Sequence, residues 1–225
     1  MFEIPEDRKA EFQHLLLSWW KENAQKYPWR LTSDPYRILV AEILLRKTSR
    51  GQVAAVYEAL LQKWPSPADL ARASEDELKA YLRPLGMENK RAKLLVELGQ
   101  TVVHRFEGRI PDNPNDLTSL PGVGRYAANA VLCFGYGQDQ PMVDTNVARV
   151  IQRVFGYKSP KPRPRDDKML WQIAERLIPK GRARDYNLAL LDLAGAVCRA
   201  KKPACHACPV KKVCLFWEKH KQCSA

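Results

Sequence analysis

No apolar run in this 225-residue chain approaches the roughly 18 residues needed for a bilayer-spanning helix. The N-terminus, Met1-Phe2-Glu3-Ile4-Pro5-Glu6-Asp7-Arg8, is charged and lacks the apolar core of a secretory signal. The expected location is cytoplasmic, of prokaryotic type and associated with the nucleoid, with no membrane partner. No segment alternates apolar and polar residues with period two, which argues against a half-buried sheet. Internal repeats and low-complexity tracts are also missing. Acidic residues are in deficit: 37 Lys and Arg face 25 Asp and Glu, a net charge of +12. A positive field of that size attracts polyanions, nucleic acid first and an anionic membrane surface second. Hydrophobic residues make up 45%, too many for global disorder.

What remains is helical periodicity. Pro5 to Asn23 is amphipathic, with Phe12, Leu15, Leu16, Trp19 and Trp20 at helical spacing, and Pro28-Trp29-Arg30 breaks it. Asp34-Pro35 opens a second helix through Leu44. Gly51 is read as an interruption, with helix resuming from Val53 to Trp64. Ser66 and Ser74 each look like N-caps. Further helices are expected over 90–106, 117–133 (with a Gly-rich turn), 145–155, 167–178 and 185–198. Lys158 to Arg165 (KSPKPRPR) is a Pro-rich basic connector, with a strip that contacts a nucleic-acid backbone as the other reading. The fold class is therefore all-α.

Six cysteines are present, and four of them make the pattern Cys198-x6-Cys205-x2-Cys208-x5-Cys214. In a cytosolic chain such a cluster points to metal rather than disulfides. Structural zinc usually takes two tight C-x2-4-C pairs, and only one exists here. The wider gaps suit a cubane iron–sulfur cluster, with zinc as the alternative. Arg199, Lys201, Lys202, Lys211 and Lys212 flank the thiols, where they can offset cluster charge or face phosphates. Cys133 lies in an apolar helix and reads as core; Cys223 reads as an incidental tail thiol.

Three further features carry chemistry. Leu120-Pro121-Gly122-Val123-Gly124 precedes an apolar helix, so Gly122, Val123 and Gly124 form a tight hairpin between helices. The following helix offers N–H groups that bind a phosphate without reading bases. Asp144 stands about 20 residues further on, just before an amphipathic helix. It is a simple N-cap, a carboxylate kept anionic by that helix's dipole, or both. Glu42 is a carboxylate within the apolar helical run Tyr36–Leu45; it faces solvent, or is buried with a raised pKa suited to a general acid.

The hairpin, Asp144 and the four-cysteine loop, in this order and spacing, resemble the endonuclease III superfamily of helix-hairpin-helix DNA glycosylases over nearly the whole chain. That resemblance implies two helical lobes: a six-helix barrel with the hairpin over residues 29–135, and a second lobe from 1–28 and 136–225 carrying a 4Fe-4S cluster on Cys198, Cys205, Cys208 and Cys214. It implies a monomer acting on double-stranded DNA, with the target base flipped into a cleft between the lobes. Bifunctional members carry a lysine just past the hairpin that attacks the sugar. This chain has Tyr126 there, and the preceding Arg125 stays protonated and is a poor nucleophile. A monofunctional enzyme without lyase activity is implied.

Trp29-Arg30, Asp34-Pro35-Tyr36 and Glu42 resemble the branch holding adenine glycosylases and thymine–guanine mismatch glycosylases. Adenine glycosylases usually have two glutamines where this chain has Arg46-Lys47, and tyrosines where it has Met87-Glu88. They also add a C-terminal domain, whereas this chain ends soon after the cysteines. Leu44 to Thr48 and Arg184 to Leu188 look more like the thymine–guanine type. The implied function is removal of thymine or uracil mispaired with guanine in base excision repair. Asp144 would stabilise charge on the sugar, Glu42 would assist base departure, and Tyr126 would line the pocket. Arg46 and Lys47 would contact DNA, with Lys47 filling the gap left by the flipped base. The alternatives are an adenine glycosylase acting opposite guanine or 8-oxoguanine, and, in another class, a non-catalytic DNA-binding module.

Overall fold

The computed structural model describes residues 2–220, so Cys223 lies outside it. Among the described residues there are helices and no strand: α1 (Glu6–Asn23), α2 (Pro35–Leu44), α3 (Arg50–Lys63), α4 (Pro67–Ala71), α5 (Glu75–Leu82), α6 (Glu88–Phe106), α7 (Pro114–Ser119), α8 (Arg125–Phe134), α9 (Thr145–Phe155), α10 (Lys168–Arg176), α11 (Ala183–Ala196) and α12 (Leu215–His220). None of them is long and apolar enough to cross a membrane.

The chain divides into two compact units. One comprises Met1–Gln25 with Asp139–Ala225, the other Lys26–Gln138. In the Lys26–Gln138 unit, Asp34 starts α2 by accepting from the backbone N–H groups of Tyr36 and Arg37, and Pro35 supplies the first helical residue. The core-facing residues of α2 (Ile38, Leu39, Ile43 and Leu44) are essentially inaccessible to water. This helix packs on α8, and α6 packs on α4 and α5. Gly99 permits the α4–α6 approach, since a Cβ there would stand 2.5 Å from the Ala71 nitrogen. Gly51 does not break the chain as expected. It lies in the first turn of α3, where Ser49 and Gln52 close a capping box. Ser66 caps α4 through Asp69, whereas Ser74 sits at the start of α5 without a side-chain cap bond.

In the other unit, α1 packs on α11, and α9 packs on α11 and α12. Phe12 is fully buried, edge-on to Phe155 at 5.1 Å and to Tyr186 at 6.4 Å between ring centroids. Asp167 caps α10 and also accepts from the Tyr157 hydroxyl at 2.6 Å. The basic segment 158–165 is a mostly exposed connector between α9 and α10.

Candidate functional site

The hairpin of the Lys26–Gln138 unit joins α7 to α8. Gly122 has φ +72, and Val123 between the two glycines is buried. Gly124 begins α8 with no side chain capping that end. A Cβ on Gly124 would meet nothing within 4 Å, so nothing inside the protein demands glycine there. That leaves the backbone open to a close external approach. Tyr126, two residues on, is half-buried in the first turn of α8.

The turn after α2 lies against this hairpin. The Arg46 guanidinium donates to the Gly122 carbonyl. Burial lowers the Arg46 pKa, and the carboxylate of Glu42 opposes that shift, so these two residues are electrostatic neighbours one helical turn apart. Glu42 itself is half-buried, and Lys47 is exposed in the left-handed region at φ +53.

Holding this turn in place is Arg91, only 3% exposed. Its Nε donates to the Gly86 carbonyl at 3.0 Å. Its Nη1 donates to Ile43 and Leu44 at 2.9 and 3.0 Å. Its Nη2 donates to the Arg46 carbonyl at 2.6 Å and to the Thr48 hydroxyl at 2.5 Å. Each of the five N–H groups of the guanidinium thus has an acceptor, and two of the last carbonyls of α2, those of Ile43 and Leu44, are satisfied by it. Burial lowers its pKa, and the positive charge of Arg46 lowers it further. Arg91 belongs to none of the motifs legible in the sequence. Its signal was a charge on the apolar stripe of α6, in register with Leu95, Leu98 and Val102.

In the other unit Asp144 is the N-cap of α9. Its Oδ1 accepts from the Asn146 and Val147 backbone N–H groups at 2.8 and 2.7 Å. The Asn146 side chain donates to Oδ2 at 2.9 Å. Arg149 then donates to Asn146 Oδ1 at 3.0 Å, to the Ala194 carbonyl at 2.9 Å and to the Cys198 carbonyl at 2.9 Å. The carboxylate is half-buried, with both oxygens oriented by α9. Asn146 and Arg149 were also missed; only their spacing after Asp144 hinted at them.

Cys198, Cys205, Cys208 and Cys214 line one pocket, closed by apolar groups such as Val150 and Leu193. Arg153 donates to the Cys198 sulfur at 3.5 Å and to the Arg199 and Ala200 carbonyls at 2.7 and 3.1 Å. Burial pushes the Cys208 thiol up to about 12 and raises those of Cys205 and Cys214, with the neighbouring thiols adding to each shift. Four mutually interacting soft donors around one pocket are the set that a thiolate-held group needs. Among the described residues no three His, Cys, Asp or Glu side chains are grouped as ligands of a single metal ion. Arg199, Lys201, Lys202, Lys211 and Lys212 are exposed around the pocket. Cys133 is buried in α8, as a core residue would be.

Residues 40–176 match the family of HhH-GPD superfamily base excision DNA repair proteins. The chain belongs to this superfamily. The match takes in Glu42, the hairpin, Tyr126 and Asp144. Among its relatives, a thymine/uracil-DNA glycosylase of Pyrobaculum aerophilum is 46% identical over 217 residues, covering 95% of this chain and 94% of that protein. The adenine DNA glycosylase of Homo sapiens is 34% identical over 212 residues, covering 90% of this chain and 39% of that protein. A solved thermostable thymine-DNA glycosylase superposes with a TM-score of 0.91 at 37% identity, covering 95% of this chain and 98% of that one. The all-helical fold is thus the one its superfamily uses.

Proposed function

We propose that this chain hydrolyses the N-glycosidic bond of thymine or uracil opposite guanine in duplex DNA, leaving an abasic site in an uncut strand. The observation that carries the reading is Asp144, a carboxylate held at both oxygens by the start of α9, in a chain that also presents the hairpin. Likeness to the thymine/uracil glycosylase along nearly the full length of both chains supports the substrate.

The chemistry follows from the groups. A guanine mispair is weaker than a true pair, so its pyrimidine leaves the stack at lower cost. Gly124 and the start of α8 take a backbone phosphate and fix the register, and Arg46 and Lys47 extend that surface, with Lys47 in the space left by the base. As the glycosidic bond breaks, positive charge grows on the sugar. Asp144 stabilises that charge or orients the attacking water. Glu42 hydrogen-bonds or protonates the leaving pyrimidine. Tyr126 lines the pocket, and a phenol there forms no Schiff base with the sugar.

Cys198, Cys205, Cys208 and Cys214 would hold a 4Fe-4S cluster, which when bound fastens the basic loop around it and supplies no step of base release. The domain reading of 29–135 as a six-helix barrel and 1–28 with 136–225 as the cluster lobe is part of this proposal, as is a monomer acting alone on mismatched duplex DNA.

The test is a panel of duplexes, each with one mismatch or lesion, incubated with enzyme and then treated with hot alkali. Strand breaks at thymine and uracil opposite guanine, appearing only after alkali, are expected, with no adduct trapped by borohydride. Release of adenine alone, the second reading that likeness to the adenine glycosylase favours, would replace the substrate. Duplex binding with no base released from any member would leave a DNA-binding module. Breaks without alkali and a borohydride-trapped adduct would refute the monofunctional part.

A further inference from the structure

The Lys26–Gln138 unit carries three loops that arginines link: the loop from Gly86 into α6, the turn after α2, and the hairpin, and the proposed function draws on the last two. None is regular structure. Gly86, Met87, Lys47 and Gly122 all have positive φ, and two of these four are not glycine. Left-handed backbone at a non-glycine residue persists only where its surroundings hold it.

Two arginines do the holding. Arg91 reaches back from α6 to the Gly86 carbonyl and forward to three carbonyls and a hydroxyl of residues 43–48. Arg46, whose own carbonyl Arg91 grips, donates in turn to the Gly122 carbonyl. The Gly122 conformation in turn brings its backbone against Leu94, one helical turn beyond Arg91. A lysine could not replace Arg91. It is a single point with three donors, whereas the acceptors here spread along both edges of a planar fork.

We propose that Arg91 is a positioning residue: through Arg46 it ties the loop before α6, the turn after α2 and the hairpin into one body that meets DNA already set. Buried as it is, Arg91 touches no phosphate. Its effect is to hold Lys47, Arg46 and the hairpin in one mutual register before a mispair arrives. This rests on the reading of those loops as the DNA-engaging surface, but its first test does not.

That test is backbone hydrogen exchange on the full chain. Arg91→Met removes the donors at similar volume. It should speed exchange in residues 45–48, which Arg91 touches, and also in 122–124, which it reaches only through Arg46. Arg91→Lys should fall between Met and wild type. Unchanged exchange at 122–124 in a folded Arg91→Met protein, or full restoration by lysine, would overturn the proposal. Should Arg91→Met not fold, Thr48→Val removes one acceptor. It should give smaller increases in the same two segments, and an effect confined to 45–48 would overturn the proposal equally.

The second readout separates this inference from the function. Single-turnover release of thymine from a G·T duplex should fall about 10- to 100-fold in Arg91→Met, the scale of a displaced site. The slope of log Kd against log salt for matched duplex should not change, whereas a lost phosphate contact would lower it by about one. Wild-type release by Arg91→Met, or a reduced slope, would count against the proposal. If the wild-type protein releases no base at all, the functional reading falls, and the exchange experiment alone decides the clamp.

Discussion

Gly122 sits at φ +72, and a Cβ there would stand 2.8 and 2.9 Å from the two Leu94 methyls and 3.3 Å from Arg46 Nη1. Gly124 has φ −96 and open space around it. The two glycines of one motif therefore answer to different demands. Gly122→Ala should destabilise the fold by about 1–2 kcal/mol, the cost of a left-handed alanine, read as a fall in the thermal midpoint. Gly124→Ala should stay within about 0.5 kcal/mol of wild type, as surface changes do, yet weaken duplex binding. Equal loss of stability in both would contradict this division. The hairpin turn was legible in the sequence because its glycine pair is followed at once by an apolar helix and, about 20 residues on, by Asp144. Asp144 was legible for a similar reason, as a short polar residue at the edge of an amphipathic run. Arg91 and the Arg46–Gly122 bond were not. They join positions 45 and 76 residues apart, and no local periodicity encodes such a pairing.

At the scale of elements, α9 connects the Asp144 carboxylate to the cysteine loop. Arg149 and Arg153 lie one turn apart on it and both reach the segment that begins at Cys198. Arg153 alone serves the Cys198 sulfur and two loop carbonyls, and its guanidinium lies 4.9 Å from the Phe216 ring centre. Arg153→Met should loosen this loop by about 1.5–3 kcal/mol, the range for hydrogen bonds to a charged group. The check is iron per chain before and after chelator: wild type should hold about four irons, and the variant should lose them faster. A colourless protein with one zinc would remove the cluster from the account. The limits of α2 and α9 were read well because their caps are local. The start of α3 was misread because a capping box at Ser49 outweighs the cost of Gly51 in the first turn.

At the scale of the whole molecule the sequence carries a net charge of +12. The basic residues around the cysteine pocket are exposed, while Arg91 is buried and spent on backbone carbonyls. Net charge alone therefore overstates the cations available to phosphates. The helical class and the order of the motifs were readable from periodicity and spacing. The linkage of the loops was not, because it rests on long-range hydrogen bonds of Arg91 and Arg46 to backbone carbonyls rather than on pattern.

The most direct measurement detects the free base itself. The wild-type protein and Asp144→Asn are incubated with a G·T duplex, and released thymine is quantified by mass spectrometry alongside abasic sites. Asparagine keeps an acceptor oxygen and the capping role but removes the charge. Wild type should release thymine in equal number to abasic sites. Asp144→Asn should bind the duplex with little change and release essentially none. Wild-type release by Asp144→Asn, leaving Asp144 as a helix cap and nothing more, would contradict the central claim.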